Sequence, residues 1–193
     1  SVGFGGGSSY LALLALAAVP FPEIRLTALL CNIVVVCSNS VVFARKNEIN
    51  WSKNIPLILA SVPLAFLGAR APLHEKMFFL LLGSSLIIAA ALLWFQTDKT
   101  MEPTPQISNA KPVRDACIGG GIGLLSGLVG IGGGIFLSPV LHFLRWDGAR
   151  KIAATASLFI LVNSIAGITG QLLFKQVTLN WMLIAMLGTA VFI

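Results

Sequence analysis

Seven stretches of this chain contain no Asp, Glu, Lys or Arg: residues 1–22, 26–44, 54–69, 77–97, 116–144, 152–174 and 176–193. A helix needs about 20 largely apolar residues to cross the hydrocarbon of a bilayer, and most of these stretches reach that length. Inside lipid the backbone must satisfy its own polar groups, and a run of this kind does so as a helix. The stretch 54–69 is shorter and carries Pro56 and Pro63. It spans only if tilted or kinked against neighbours, or helped by flanking residues. Charged residues make up 10% of the chain, against roughly 25% in soluble domains, so the solvent for this apolar surface is lipid.

The net charge of +6 does not point to nucleic acid. Lys and Arg stand between the apolar runs, where topology and lipid headgroups ask for them, and they form no basic face with interleaved aromatics. Cys31, Cys37 and Cys117 all lie in apolar runs, with no CxxC and no Cys/His cluster. Packed thiols are expected, with no disulfide, no metal and no cofactor.

Within the fifth run, Gly130-Ile131-Gly132-Gly133-Gly134 places four glycines in five residues. Glycine weakens a helix by about 1 kcal/mol relative to Ala and tolerates positive φ, so a helix break is expected here. The run 116–144 as one helix would be about 44 Å long at 1.5 Å per residue, longer than a ~30 Å hydrocarbon core. A break at Gly132–Gly134 resolves the excess, leaving a half-helix over 135–144. Just before it, Gly119, Gly123 and Gly127 recur every four residues, a ridge for close helix packing.

A near-copy of the break, Gly3-Phe4-Gly5-Gly6-Gly7, stands at the start of the chain. Ile49-Asn50-Trp51 likewise matches Leu179-Asn180-Trp181. The expected architecture is an all-α integral membrane protein of two homologous helical repeats, each starting with a glycine-broken helix, discontinuous or re-entrant. The first repeat covers residues 1–95, a polar Pro-bearing linker 96–113, and the second repeat 114–193. Because the first motif lacks the segment that precedes its partner, and the last run stops at Ile193, both repeats read as truncated at the chain's ends. Pro20-Phe21-Pro22 is expected to close the first helix, with Glu23 and Arg25 in a surface loop.

Two orientations fit. If every run spans, the repeats are parallel and Lys plus Arg divide 6 against 7 between the two sides; if 116–144 is re-entrant, they divide 4 against 9. The second division follows the positive-inside rule and implies inverted repeats.

The glycine run with downstream Pro139, the Ala154-Thr155-Ala156-Ser157 of the next span, the Leu67-Gly68-Ala69-Arg70 closure and the repeated Asn-Trp together resemble the sulfite exporter TauE/SafE family, the toluene-sulfonate uptake permeases. The likeness covers essentially the whole chain. It implies a multi-pass permease or exporter of small sulfur-containing or organic anions, such as sulfite or sulfonates, in a cell membrane of the bacterial inner-membrane kind. The expected partners are the lipid bilayer and a small anionic substrate, with no nucleic acid; a homo-oligomer is compatible with the sequence. Pro139 departs from the duplication, since Ala12 stands at the matching place in the first half.

The end of a broken helix exposes N–H groups and carries about half a positive charge, so an anion settles there without a basic side chain. The candidate substrate ligands are Gly5, Gly6, Gly7, Gly132, Gly133 and Gly134, with Asn32, Asn39, Thr155, Ser157 and Asn163 adding hydrogen bonds. For the two Asn of the second run, inter-helix bonding is the competing role; for the glycines it is tight packing. An enzyme is not expected: His74 and His142 are the only histidines, and neither has a matching carboxylate or thiolate nearby. A membrane assembly protein without transport activity is the remaining alternative.

Overall fold

The computed structural model describes residues 21–71, 74–94 and 112–174. Gly5, Gly6 and Gly7, the linker up to Lys111 and the last apolar run lie outside the described residues. Those described form six helices and no strand: α1 Phe21–Arg45, α2 Trp51–Arg70, α3 Glu75–Trp94, α4 Pro112–Val129, α5 Gly134–Phe143 and α6 Ala149–Phe174. Three stretches, Arg25–Arg45, Trp51–Arg70 and Ala149–Leu173, are long and apolar enough to cross a bilayer.

The start of α1 corrects one expectation. Phe21, Pro22, Glu23 and Arg25 are helical, and Arg25 is 2% exposed, so no surface loop exists there. Proline is tolerated in a first turn, where its missing N–H has no acceptor to lose. α2 contains both Pro56 and Pro63 and still runs 20 residues. In a membrane helix the groups freed by proline find partners on neighbouring helices.

The glycine ridge packs α4 on α2. A Cβ on Gly123 would lie 2.5 Å from the Ser61 carbonyl oxygen, and one on Gly119 or Gly127 would meet the backbone of Leu57 or Ala65. The partners advance together along both helices, so α2 and α4 are parallel. Gly68 returns the contact: a Cβ there would lie 2.5 Å from the Leu124 carbonyl oxygen. α6 closes the group, with Gly167 against Leu29 of α1 and Gly170 against Phe66 of α2.

α5 does not continue α4; it turns back and packs on α3 and α6. Trp146, three residues past α5, is buried, and its Nε1 donates to Asp115 Oδ2 in the first turn of α4 at 3.2 Å. Lys53, at the start of α2, donates to the Trp146 carbonyl at 3.3 Å and approaches Asp147 Oδ2 at 3.4 Å. The starts of α2 and α4 and the end of α5 are thereby held at one level.

Leu57, Ile122, Leu137, Leu141, Ile152 and Phe159 form the centre of the core. Leu59, Ile87 and Leu173 are exposed, which lipid tolerates and water does not. The thiols are free, but only Cys31 is packed inside; Cys37 and Cys117 are exposed. Thiols are small enough to face lipid without cost, so an apolar run does not dictate their burial.

Candidate functional site

The ladder of α4 ends where Gly130 N–H donates to the Ser126 carbonyl at 2.7 Å. Gly130, Gly132 and Gly133 then have φ of 75°, 79° and 79°, the left-handed region that side chains rarely adopt. α5 begins at Gly134 with Gly133 as its cap and no capping side chain. Phe136 and Leu137 N–H both return to the Gly133 carbonyl, at 3.2 and 3.0 Å. The N–H groups of Gly132, Gly133 and Gly134 meet no acceptor among the described residues. They form a buried, positively polarised helix end.

Three helices supply its surroundings. From α1, Asn32 Nδ2 donates to the Ile131 carbonyl at 2.9 Å. From α6, Ser164 Oγ lies 2.9 Å from where a Cβ on Gly132 would stand, with Ile160 beside it; from α4, Ser126 Oγ lies 3.2 Å from the same point on Gly133. Asn32, Ser126, Asn163 and Ser164 are each at most 1% exposed. The Oγ of both serines and the Oδ1 of both asparagines lack a hydrogen-bond partner among the described residues. Leaving a buried polar atom unpaired costs about 1–3 kcal/mol, so the three from Asn32, Ser126 and Ser164 beside the turn mark somewhere a polar guest would be stabilised.

At the back of the turn, Arg25 Nη2 donates to the Gly127 carbonyl at 2.6 Å. Its Cβ and Cγ lie 3.3 and 3.4 Å from the Cβ position of Gly130.

The candidate residues divide. Gly132, Gly133, Gly134 and Asn32 come together at the turn. Asn163 neighbours Ser164 and spends its Nδ2 on the Phe159 carbonyl at 2.9 Å. Thr155 is elsewhere: its Oγ1 donates to Asn54 Oδ1 of α2 at 2.9 Å, about 13 Å along α6 from Ser164. Ser157 is buried without a partner, about 10 Å along α6 from Ser164. Asn39 is half-buried, about 10 Å beyond Asn32 on α1. Ser126 and Ser164 were not among the candidates. Ser126 lies one turn before the glycine run, and Ser164 adjoins Asn163; that adjacency is the signal that could have found them. Among the described residues no group of His, Cys, Asp and Glu could hold a metal ion.

The family model described as sulfite exporter TauE/SafE matches residues 1–193. The chain is 32% identical over 171 residues to the protein named "Probable membrane transporter protein y4hK" of Sinorhizobium fredii, covering 88% of this chain and 69% of that one. No solved structure matches it.

Proposed function

Because the chain belongs to the sulfite exporter TauE/SafE family and is a membrane transporter, we propose that the turn between α4 and α5 binds a small sulfur-containing or organic anion during transport. The observation that carries this reading is the convergence of unpaired glycine N–H groups with the unpaired hydroxyls of Ser126 and Ser164. Main-chain N–H groups at a helix start favour negative charge, and hydroxyls can donate to it. Asn32 and Asn163 each spend one amide N–H on a carbonyl, which positions the turn and the helix and leaves a second N–H on each amide. Sulfite and sulfonates suit such a site, since their oxygens accept several short donors at once and need no fixed cation.

We read α4 and α5 as a re-entrant hairpin within the second of two inverted repeats. The bond from Trp146 to Asp115 supports it, because a spanning run would end far from where it began. So does the division of Lys and Arg between the loops, 3 against 9 once Arg25, buried within α1, is left out, which follows the positive-inside rule with the richer side cytoplasmic. The turn stands about 22 Å along α4 from Asp115, level with the last turn of α2, and so towards the far side of a ~30 Å core.

The test uses the full-length protein in proteoliposomes, offered sulfite, thiosulfate, taurine, sulfoacetate and acetate. Saturable uptake of at least one sulfur oxyanion, competed by the others, is the expected result. Liposomes that accumulate none of them above protein-free controls would contradict the reading.

A further inference from the structure

α6 runs unbroken from Ala149 to Phe174, and one of its faces carries a pattern that the turn does not use up. Ser157, Ser164 and Gln171 recur every seven residues, so they share a face at steps of about 10 Å. They are 0%, 0% and 2% exposed. Each has a side-chain atom without a hydrogen-bond partner among the described residues, the Oγ of both serines and the Nε2 of Gln171. All three atoms can donate a hydrogen bond. Buried donors ordinarily find partners, so three unpaired ones in register on one helix ask for a guest that accepts.

α1 lies antiparallel against this face. Leu29 packs at Gly167, and Asn32, one turn later, reaches the glycine turn where Ser164 stands. Continued along both helices, that register brings Ser40 level with Ala156 and Ser157. The Ser40 hydroxyl is 6% exposed and also unpaired among the described residues. Aliphatic side chains fill the intervals. Ile160 stands between Ser157 and Ser164 and lies against Gly134 and Gly132, its Cγ2 2.7 Å from the Cβ position of Gly132. Leu29 stands between the levels of Ser164 and Gln171, its Cδ1 3.2 Å from the Cβ position of Gly167. Ile160 and Leu29 are 2% and 1% exposed.

We propose that this face of α6 is the anion's route through the protein, with Ser157 and Gln171 as stations on either side of the turn. The proposal rests on the anion site described above and adds the direction in which the anion leaves it. Ser157 lies towards the Ala149 end of α6, the side of the basic loops, and Gln171 towards the opposite end. A small anion cannot bridge steps of about 10 Å, so it exchanges one set of donors for the next. Ile160 and Leu29 close the two intervals, so the turn is shut off on both sides in this structure.

The test compares the full-length wild type with Ser157→Ala, Gln171→Leu and Ser164→Ala. Two quantities are read: the Kd of the purified protein for sulfite, and the maximal rate of sulfite uptake in proteoliposomes. Ser157→Ala and Gln171→Leu should each lower the maximal rate roughly tenfold, as loss of one hydrogen bond to a charged guest does. Their Kd should stay within about threefold of the wild type, and their unfolding midpoints should be unchanged or raised, which a structural hydrogen bond would not allow. Ser164→Ala should raise the Kd instead. If Ser157→Ala or Gln171→Leu is monodisperse and carries sulfite at the wild-type rate while Ser164→Ala binds poorly, the route falls and the site stands. If Ser164→Ala binds as the wild type does, or the wild type neither binds nor carries sulfite, the site falls and the route with it. Should Gln171→Leu not fold, Gln171→Met decides by the same two readings.

Discussion

Gly121 and Gly123 are two positions apart on α4, yet their surroundings are opposite. A Cβ on Gly121 would meet nothing within 4 Å, whereas one on Gly123 would lie 2.5 Å from the Ser61 carbonyl oxygen and 2.7 Å from its Cα. Gly121→Ala should therefore raise stability by up to about 1 kcal/mol through helix propensity alone. Gly123→Ala should lower it by about 1–3 kcal/mol, because backbone cannot move aside as a side chain can. Thermal unfolding in detergent checks both, and equal shifts would contradict the packing described. The turn is less suited to such substitutions. Gly133 has φ of 79° and its Cβ position is 2.9 Å from Phe159, so a larger residue there damages fold and site together. Single residues also show where sequence reading stopped. Arg25 stands beside two prolines and a glutamate, the usual marks of a loop. It donates to a carbonyl 102 residues away, and no residue type announces a carbonyl. Nothing in the sequence separates Ser126 and Ser164 from other helical hydroxyls, which ordinarily bond a carbonyl of their own helix, as Thr169 does to Ile165. That these two do not is visible only in the structure.

At the level of elements, composition and spacing carried far. The apolar runs 26–44, 54–69, 77–97 and 152–174 correspond to α1, α2, α3 and α6, and the four-residue glycine spacing marked the face of α4 that packs on α2. The return of α5 was less legible, since its anchor joins two residues 31 apart that read as ordinary boundary positions. Asp115 is 1% exposed and receives Trp146 Nε1 at 3.2 Å, with Arg114 at 3.3 Å. Lys53 Nζ also sits 5.2 Å from the Trp146 ring centroid. Asp115→Ala should cost about 1–3 kcal/mol by leaving the indole N–H buried and unpaired. It should lower the unfolding midpoint, and an unchanged midpoint would show that the anchor does not hold the hairpin. The effect is expected on stability first, because the turn lies about 22 Å away along α4.

For the whole molecule, the re-entrant reading makes a prediction about sidedness. The exposed residues Asn47, between α1 and α2, and Gly148, between α5 and α6, should share the basic side of the membrane. Cysteines placed at these two positions, with the native cysteines replaced, should both react with a membrane-impermeant maleimide in inside-out vesicles and neither in right-side-out ones. Opposite labelling would mean that the run through α4 and α5 spans, and the repeats would then be parallel.

The central claim is that the buried turn between α4 and α5 is the anion site, and the double variant Ser126→Ala/Ser164→Ala tests it most directly. Both hydroxyls are buried and unpaired among the described residues, so their removal should leave the unfolding midpoint unchanged or raised. The same variant should lose sulfite uptake by roughly tenfold or more, since each lost hydrogen bond to a charged group is worth about 1.5–3 kcal/mol. A variant as stable as the wild type that still carries sulfite at the wild-type rate and KM would contradict the account.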